Sequence, residues 1–273
     1  MLIARARPLL GTVVSIQVHT DDANAPSVAR AMADAFVVMA RIGQVMSAHD
    51  ERSDLGRLAN AKRGDVLALD VETLQVIRAA QQWQRISGGA FDPCRAGEVL
   101  ARSGRRPGIT GDACGSLHDM ALLNDTEVRL ARAVKLDFGG IAKGYAVDRA
   151  IDVLQAQGVT DALVNAGGDM RAMGLRKWPI DVRHAQYNLR DGRMTSQRWV
   201  QHQALATSVA GRLNPEFVAV RAHSKMRWQS VTVTAKTCMA ADVLTKWALQ
   251  SSVLCPNLKQ ALRLQGGRMW RTE

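Results

Sequence analysis

Residues 12–19 (Thr-Val-Val-Ser-Ile-Gln-Val-His) alternate apolar and polar positions, which predicts a strand with one buried face. Turn-forming residues follow at Asp21-Asp22-Ala23-Asn24. The spacing then lengthens: Val28, Met32, Phe36 and Met39 recur at helical intervals and predict an amphipathic helix over Ser27–Val45. Thr73–Ile86 repeats that pattern, and Gly88-Gly89 ends it. Residues 101–119 are rich in Gly, Arg, Ser and Asp and read as an irregular surface loop. Beyond them, Ala162–Val164 reads as a short buried strand, and Ile180–Arg183, Trp199–Ala206 and Phe217–Arg221 as further strands. Ser230–Ala235 alternates as a half-buried strand does, and Ala240–Gln250 and Leu258–Leu264 carry helical patterns. No repeat, low-complexity tract or linker divides the chain, so residues 1–273 are expected to form a single domain. Helices gather early and strands late around one strand–helix unit. That order predicts an α+β fold, with mixed or antiparallel sheets flanked by helices.

The most informative stretch is residues 137–148, Asp-Phe-Gly-Gly-Ile-Ala-Lys-Gly-Tyr-Ala-Val-Asp. It follows the apolar run Ala133-Val134-Lys135-Leu136 and opens a segment with helical spacing at Val147, Ile151 and Leu154. Strand, glycine turn, helix is the expected order. Glycines let a backbone turn tightly and approach a ligand. A helix start offers unpaired N–H groups and partial positive charge, which suit a phosphate. Lys143 adds a mobile cation there. An ordinary strand-to-helix turn has the same glycines. Two more glycine corners carry carboxylates, Gly88-Gly89-Ala90-Phe91-Asp92-Pro93 and Gly167-Gly168-Asp169, and Ala240-Ala241-Asp242 lies near a helix start. Singly, each such carboxylate is an ordinary cap or turn residue. Their order and spacing give them weight together.

Composition narrows the function classes. With 36 basic and 25 acidic residues the formal net charge is +11, which favours anionic partners and phosphorylated ligands. The basic residues are dispersed, with Arg102, Arg105 and Arg106 the densest group, and aromatics are only 4% of the chain. Stacking platforms for single-stranded nucleic acid are therefore scarce, and no specific nucleic-acid role is expected. Cys94, Cys114, Cys238 and Cys255 form no C-x-x-C pair, and the six histidines have no ligand spacing, so free thiols are expected rather than a zinc site. No run approaches membrane-spanning length. Met1–Arg7 is too short and too charged for a signal peptide, which gives a cytoplasmic expectation.

Taken together, these blocks resemble the ApbE family of FAD:protein FMN transferases. The matching stretches are Leu10-Gly11-Thr12, Met46–Leu58 with Ser47, Ser53, Leu55 and Leu58 in register, Gly89–Pro93, Asp137–Asp148, Ala162–Asp169, Ala206-Thr207-Ser208 and Ser230–Leu249. The resemblance covers nearly the whole chain. It implies an α+β domain that binds FAD, splits its diphosphate with Mg²⁺ help and attaches FMN through a phosphoester to a Thr or Ser of a partner flavoprotein. Some relatives instead hydrolyse FAD to FMN and AMP. By match to the family pattern, Asp137 and Lys143 would contact the flavin nucleotide. Leu10, His49 and the Ala90-Phe91-Asp92 turn would line the FAD pocket, with His49 where the family usually has a tyrosine. The Gly140 carbonyl, the Asp242 carboxylate and Thr245 would bind the metal. These residue types suit phosphoryl transfer, which needs positioning and charge neutralisation, and Mg²⁺, which takes hard oxygen ligands.

The chain departs from the pattern twice. The family's metal-binding threonine, four residues after the Asp, is Lys246 here, and Thr245 sits one step earlier. A protonated lysine has no lone pair for a metal. Asp242 and Lys246, at i and i+4, form either a plain helix-surface ion pair or a site in which the ammonium itself replaces the metal. Secondly, a family His-x-x-Asp-Pro block is replaced by Ser208-Val209-Ala210-Gly211-Arg212-Leu213-Asn214-Pro215. Arg212 and Asn214 stand near the His and Asp positions, Val209 takes the place of a glycine, and His223 is the nearest following histidine. Arginine does not accept a proton near neutrality. No catalytic acid or base is thereby assigned. Three readings remain: an FMN transferase; a flavin or nucleotide binder without the transfer chemistry; and another enzyme on the same scaffold, a FAD pyrophosphatase or one acting on another phosphorylated or pterin-like ligand.

Overall fold

The computed structural model describes residues 1–95, 115–183, 195–209, 228–251 and 253–272. In chain order the elements are β1 (Leu2–Leu9), β2 (Thr12–His19), α1 (Ala25–Val45), α2 (Asp54–Asn60), β3 (Val66–Ala68), α3 (Val71–Ile86), β4 (Met120–Leu122), β5 (Glu127–Leu130) and α4 (Ala142–Ala156). They continue as β6 (Asp161–Ala166), β7 (Asp169–Met173), β8 (Trp178–Arg183), β9 (Thr195–Val200), β10 (Ala204–Val209), β11 (Ser230–Ala235), α5 (Cys238–Gln250), α6 (Pro256–Leu264) and β12 (Met269–Thr272). The fold is α+β. Two compact units form, one from Met1–Arg41 and the described residues from Lys143 onward, the other from Ile42–Ala142.

The first unit is built on a sheet ordered β1-β2-β6-β7-β10-β11-β12, and every strand pairing is antiparallel. Period-two alternation gives it two different faces. Leu163, Met170, Ala172 and Leu205 pack with Trp178, Ile180, Val182 and Val200 of the β8–β9 hairpin. The other positions of β7 and β10 meet helices: α5 packs along β7, β10 and β11. Val14, Ile16 and Val18 of β2 are fully buried. In α1 the periodic set Val28, Met32, Phe36 and Met39 is buried as expected, with the Arg7 guanidinium 4.8 Å from the Phe36 ring centroid. The second unit holds the sheet β3-β5-β4 together with α2 and α3. Ser53 caps α2 and Asp70 caps α3 through side-chain oxygens.

Several expectations need correction. Ala133–Leu136 is not a strand. The chain leaves β5 at Leu130, the Ala133 carbonyl accepts from Gly115 N, and Val134–Leu136 is buried as irregular backbone. Trp199–Ala206 is two strands, because His202 takes a left-handed φ of 47° and turns the chain between β9 and β10. Ser230–Ala235 is buried at all six positions rather than on one face. Its outer hydroxyls are paired: Ser230 with Thr272, Thr232 with Thr207, and Thr234 accepting from Arg268 N. Of the expected 101–119 loop, Leu117–Asp119 is a 3₁₀ turn capped by Ser116. Arg102, Arg105, Arg106, Cys114, Arg212, Asn214, the Phe217–Arg221 strand and His223 lie outside the described residues. Cys94, Cys238 and Cys255 are free thiols, and among the described residues no helix is long and apolar enough to cross a membrane.

Candidate functional site

One end of the seven-stranded sheet gathers most of the chemistry of the first unit. The β1–β2 hairpin turns through Leu10 and Gly11, at φ 56° and 70°. β6 turns into β7 through Gly167 and Gly168, at φ 65° and 105°, with Asn165 Oδ1 accepting from Gly168 N at 2.9 Å. The register Val14↔Ala166 places both turns at the same end. Their approach explains Gly167: a Cβ there would lie 2.5 Å from Thr12 Oγ1. The register Leu205↔Met170 brings the end of β10, with Ser208, to this end as well.

Asp169 opens β7 directly after the glycine turn and is 3% exposed, and Asp242 on α5 is fully buried. Each carboxylate has a lysine. Lys143, on the first turn of α4, places Nζ 3.2 Å from Asp169 Oδ2, and Lys246 pairs with Asp242 Oδ1 one helical turn along α5. Burial, reinforced by the neighbouring Asp242 charge, pushes the Asp169 carboxyl up to about 6, against the pull of Lys246 and Lys143. Asp242 Oδ2 is buried without a hydrogen-bond partner. Thr245 donates its hydroxyl proton to the Asp242 carbonyl at 2.7 Å, so the 2.6 Å contact with Ser208 is donated by Ser208.

The helix that carries Asp242 and Lys246 is held by the second half of the 137–148 stretch. Asp148 accepts from Cys238 N (2.8 Å) and Met239 N (2.9 Å) at the start of α5, and from Arg171 of β7 (2.9 Å). Burial raises the Asp148 carboxyl, and these donors oppose the rise. Gly144, one turn earlier on α4, lies against the same backbone: a Cβ would sit 2.5 Å from the Cys238 carbonyl oxygen. Burial also raises the Cys238 thiol, followed by the effect of the surrounding carboxylates, which leaves it a poor nucleophile.

In the second unit, Ser87 closes α3, and Gly88 and Gly89 take φ 60° and 79°. Ser87 Oγ accepts from Phe91 N at 3.0 Å, Phe91 is buried, and Asp92 accepts from Cys94 N at 3.0 Å. Asp137 N donates to the Pro93 carbonyl at 3.1 Å, and Asp137 Oδ1 accepts from Gly139 N at 2.8 Å. Two of the three glycine corners, Gly88–Pro93 and Asp137–Gly140, therefore adjoin within this unit. Neither Gly139 nor Gly140 has positive φ, so that corner is an Asx turn rather than a left-handed one. His49 has an exposed side chain, and its backbone N–H donates to Ser47 Oγ.

Lys143, Asp242, Thr245 and Lys246 thus gather in the first unit, with Leu10 at the same sheet end. Asp137, Gly140, His49 and Ala90–Asp92 belong to the second unit. Three participants escaped assignment from sequence. Asp169 had a usable signal, a carboxylate directly after Gly167-Gly168 at a strand start. Ser208 had one in the Ala206-Thr207-Ser208 block, though not its partner Thr245, 37 residues away, and Arg171 had none, its partner Asp148 lying 23 residues away.

Two buried carboxylates, each paired with a lysine, stand at one end of the antiparallel sheet of an α+β protein. The chain belongs to the ApbE family, whose profile matches residues 10–253. It is 27% identical over 217 residues to a FAD:protein FMN transferase of Treponema pallidum, covering 71% of this chain and 59% of that protein. Against a FAD:protein FMN transferase of Vibrio cholerae the identity is 26% over 239 residues, covering 76% and 69%. The chain therefore spans less than two thirds of the Treponema relative. Among solved structures, the flavin transferase ApbE from Vibrio cholerae superposes with TM-score 0.76 at 20% identity, covering 99% of this chain and 93% of that one. The apo flavinyl transferase ApbE of Pseudomonas stutzeri gives TM-score 0.78 at 19% identity, covering 100% and 95%.

Proposed function

We propose that this chain binds FAD and transfers its FMN half to a Thr or Ser hydroxyl of a partner flavoprotein. The acceptor oxygen bonds to the FMN-side phosphorus, the diphosphate P–O bond breaks with its electron pair leaving on AMP, and the hydroxyl proton passes to solvent. Such a reaction depends on charge neutralisation and positioning at the phosphates. The observation that carries the reading is the paired cluster Lys143–Asp169 and Lys246–Asp242 at the sheet end of an ApbE-family chain. The relatives' names, FAD:protein FMN transferase, support the reaction class. In this reading Asp137 and Lys143 meet the flavin nucleotide, and Leu10, His49 and the Ala90-Phe91-Asp92 turn line its pocket.

A second reading, binding without transfer, is favoured by one observation: Thr245 is engaged by Ser208 and by its own helix, and Lys246 follows it beside Asp242. The test is incubation with FAD and a flavoprotein acceptor, with and without Mg²⁺, read by intact mass and in-gel flavin fluorescence. Acceptor carrying one FMN is the expected result. FMN and AMP released without labelling indicates a pyrophosphatase. FAD bound but intact beside an unlabelled acceptor leaves the binder.

A further inference from the structure

The sheet-end cluster neutralises itself. Asp169 and Asp242 contribute two negative charges, Lys143 and Lys246 two positive ones, all within the first unit. Buried carboxylates need such counter-charges, since an unpaired one is costly. The charges are also layered. The carboxylate side chains are 4% and 0% exposed, whereas those of Lys143 and Lys246 are 27% and 15% exposed. The lysines therefore lie on the solvent side and the carboxylates behind them.

This donor set does not suit a magnesium ion. Mg²⁺ takes about six oxygens in near-octahedral array and keeps water reluctantly exchanged. Here Asp242 Oδ1 is on Lys246, Asp169 Oδ2 is on Lys143, and the Thr245 hydroxyl donates to the Asp242 carbonyl while accepting from Ser208. Among the described atoms of this cluster, the buried oxygen without a partner is Asp242 Oδ2. One such oxygen is too few ligands for Mg²⁺, and the adjacent Lys246 ammonium opposes a dication. That oxygen does offer an acceptor that water or a ligand hydroxyl can complete.

We propose that the Lys246 ammonium is the resident cation of this site: it stands beside Asp242 where a divalent metal would otherwise bind, and with Lys143 it presents positive charge to a diphosphate-bearing ligand without a metal. The metal-exclusion part stands on the cluster alone; the assignment of the ligand as FAD rests on the proposed function.

Two measurements test it separately. Mn²⁺ binding to the protein alone is followed by electron paramagnetic resonance. The wild type is expected to take up no stoichiometric Mn²⁺, and Lys246→Thr, which removes the ammonium and supplies a hydroxyl, is expected to gain one site that is lost again when combined with Asp242→Asn. One Mn²⁺ per wild-type chain, abolished by Asp242→Asn, overturns the proposal, and that titration needs no lysine variant to fold. A folded Lys246→Thr protein that still ignores Mn²⁺ also overturns it. FAD affinity is then read by flavin fluorescence quenching. It is expected to be the same in EDTA as in Mg²⁺ and to fall about tenfold to a hundredfold in Lys246→Met, the loss of one charge-assisted contact. Wild-type FAD binding that vanishes in EDTA overturns metal independence. FAD that binds under no condition removes the flavin reading and leaves the Mn²⁺ result to decide the role of Lys246.

Discussion

At the scale of single residues, Leu10 is, with His202, one of two non-glycine positions among the described residues with positive φ. It holds φ 56° next to Gly11 at φ 70°, so both central residues of the β1–β2 hairpin are left-handed. Two-residue hairpins of this kind favour Asn-Gly, and a leucine in the left-handed region costs about 1–2 kcal/mol. Such outliers persist where the surroundings over-determine them, often at ligand clamps. Leu10→Asn is therefore expected to stabilise the protein by about 1 kcal/mol, which raises Tm by a few degrees, and to weaken FAD binding if the leucine side chain lines the pocket. Thermal melts with and without FAD check both halves. A stabilised variant with undiminished FAD affinity would remove Leu10 from the pocket, whereas an unchanged melt would mean the hairpin carries no strain.

At the scale of elements, the site depends on how α5 is seated. Its first two N–H groups are received by Asp148, and Gly144 lets the α4 backbone lie directly against Cys238 and Met239. A methyl at position 144 meets backbone rather than a yielding side chain, the nearest atom being 2.5 Å away. Gly144→Ala is expected to cost about 1–3 kcal/mol or more by overpacking, and Asp148→Asn about 1–3 kcal/mol by leaving buried donors poorly matched. Because Asp242 and Lys246 ride on α5, Gly144→Ala is also expected to weaken ligand binding, which urea melts and FAD titration on the same sample compare. This element shows what was legible in the sequence and what was not. The strands and helices with clear periods were readable close to their ends: β2 and β11 matched their observed bounds, and α1, α3, α5 and α6 began within two residues of expectation. The ApbE blocks were readable as well. Gly144 and Asp148 belong to a stretch whose sequence predicts nucleotide contact, yet their partners are α5 backbone groups some 90 residues downstream. No local pattern encodes such a contact. β11 alternates in sequence and is buried on both faces because Thr207, Thr272 and Arg268 N satisfy its hydroxyls, again a tertiary fact. Arg5 and Arg7 break the apolar character of β1, and the seven residues of α2 give too short a window for a helical period, so neither is legible locally.

At the scale of the whole molecule, charge separates two jobs. The sheet-end cluster sums to zero, so the formal +11 of the chain lies outside it. A net field of that size draws anions such as FAD from a distance, while the paired lysines act only at contact. Salt distinguishes the two, since the Debye length falls from about 30 Å at 0.01 M to about 3 Å at 1 M ionic strength. Exposed charges are then screened, but a pair with a fully buried Asp242 and a nearly buried Asp169 is screened far less. FAD association, followed by stopped-flow fluorescence, is accordingly expected to slow steeply across that range, while the dissociation rate changes little. Lys246→Met should leave the salt dependence of association nearly intact and speed dissociation. If salt instead accelerates dissociation as strongly as it slows association, the contact charges are exposed ones, and the layered arrangement of lysines over buried carboxylates is not what holds the ligand.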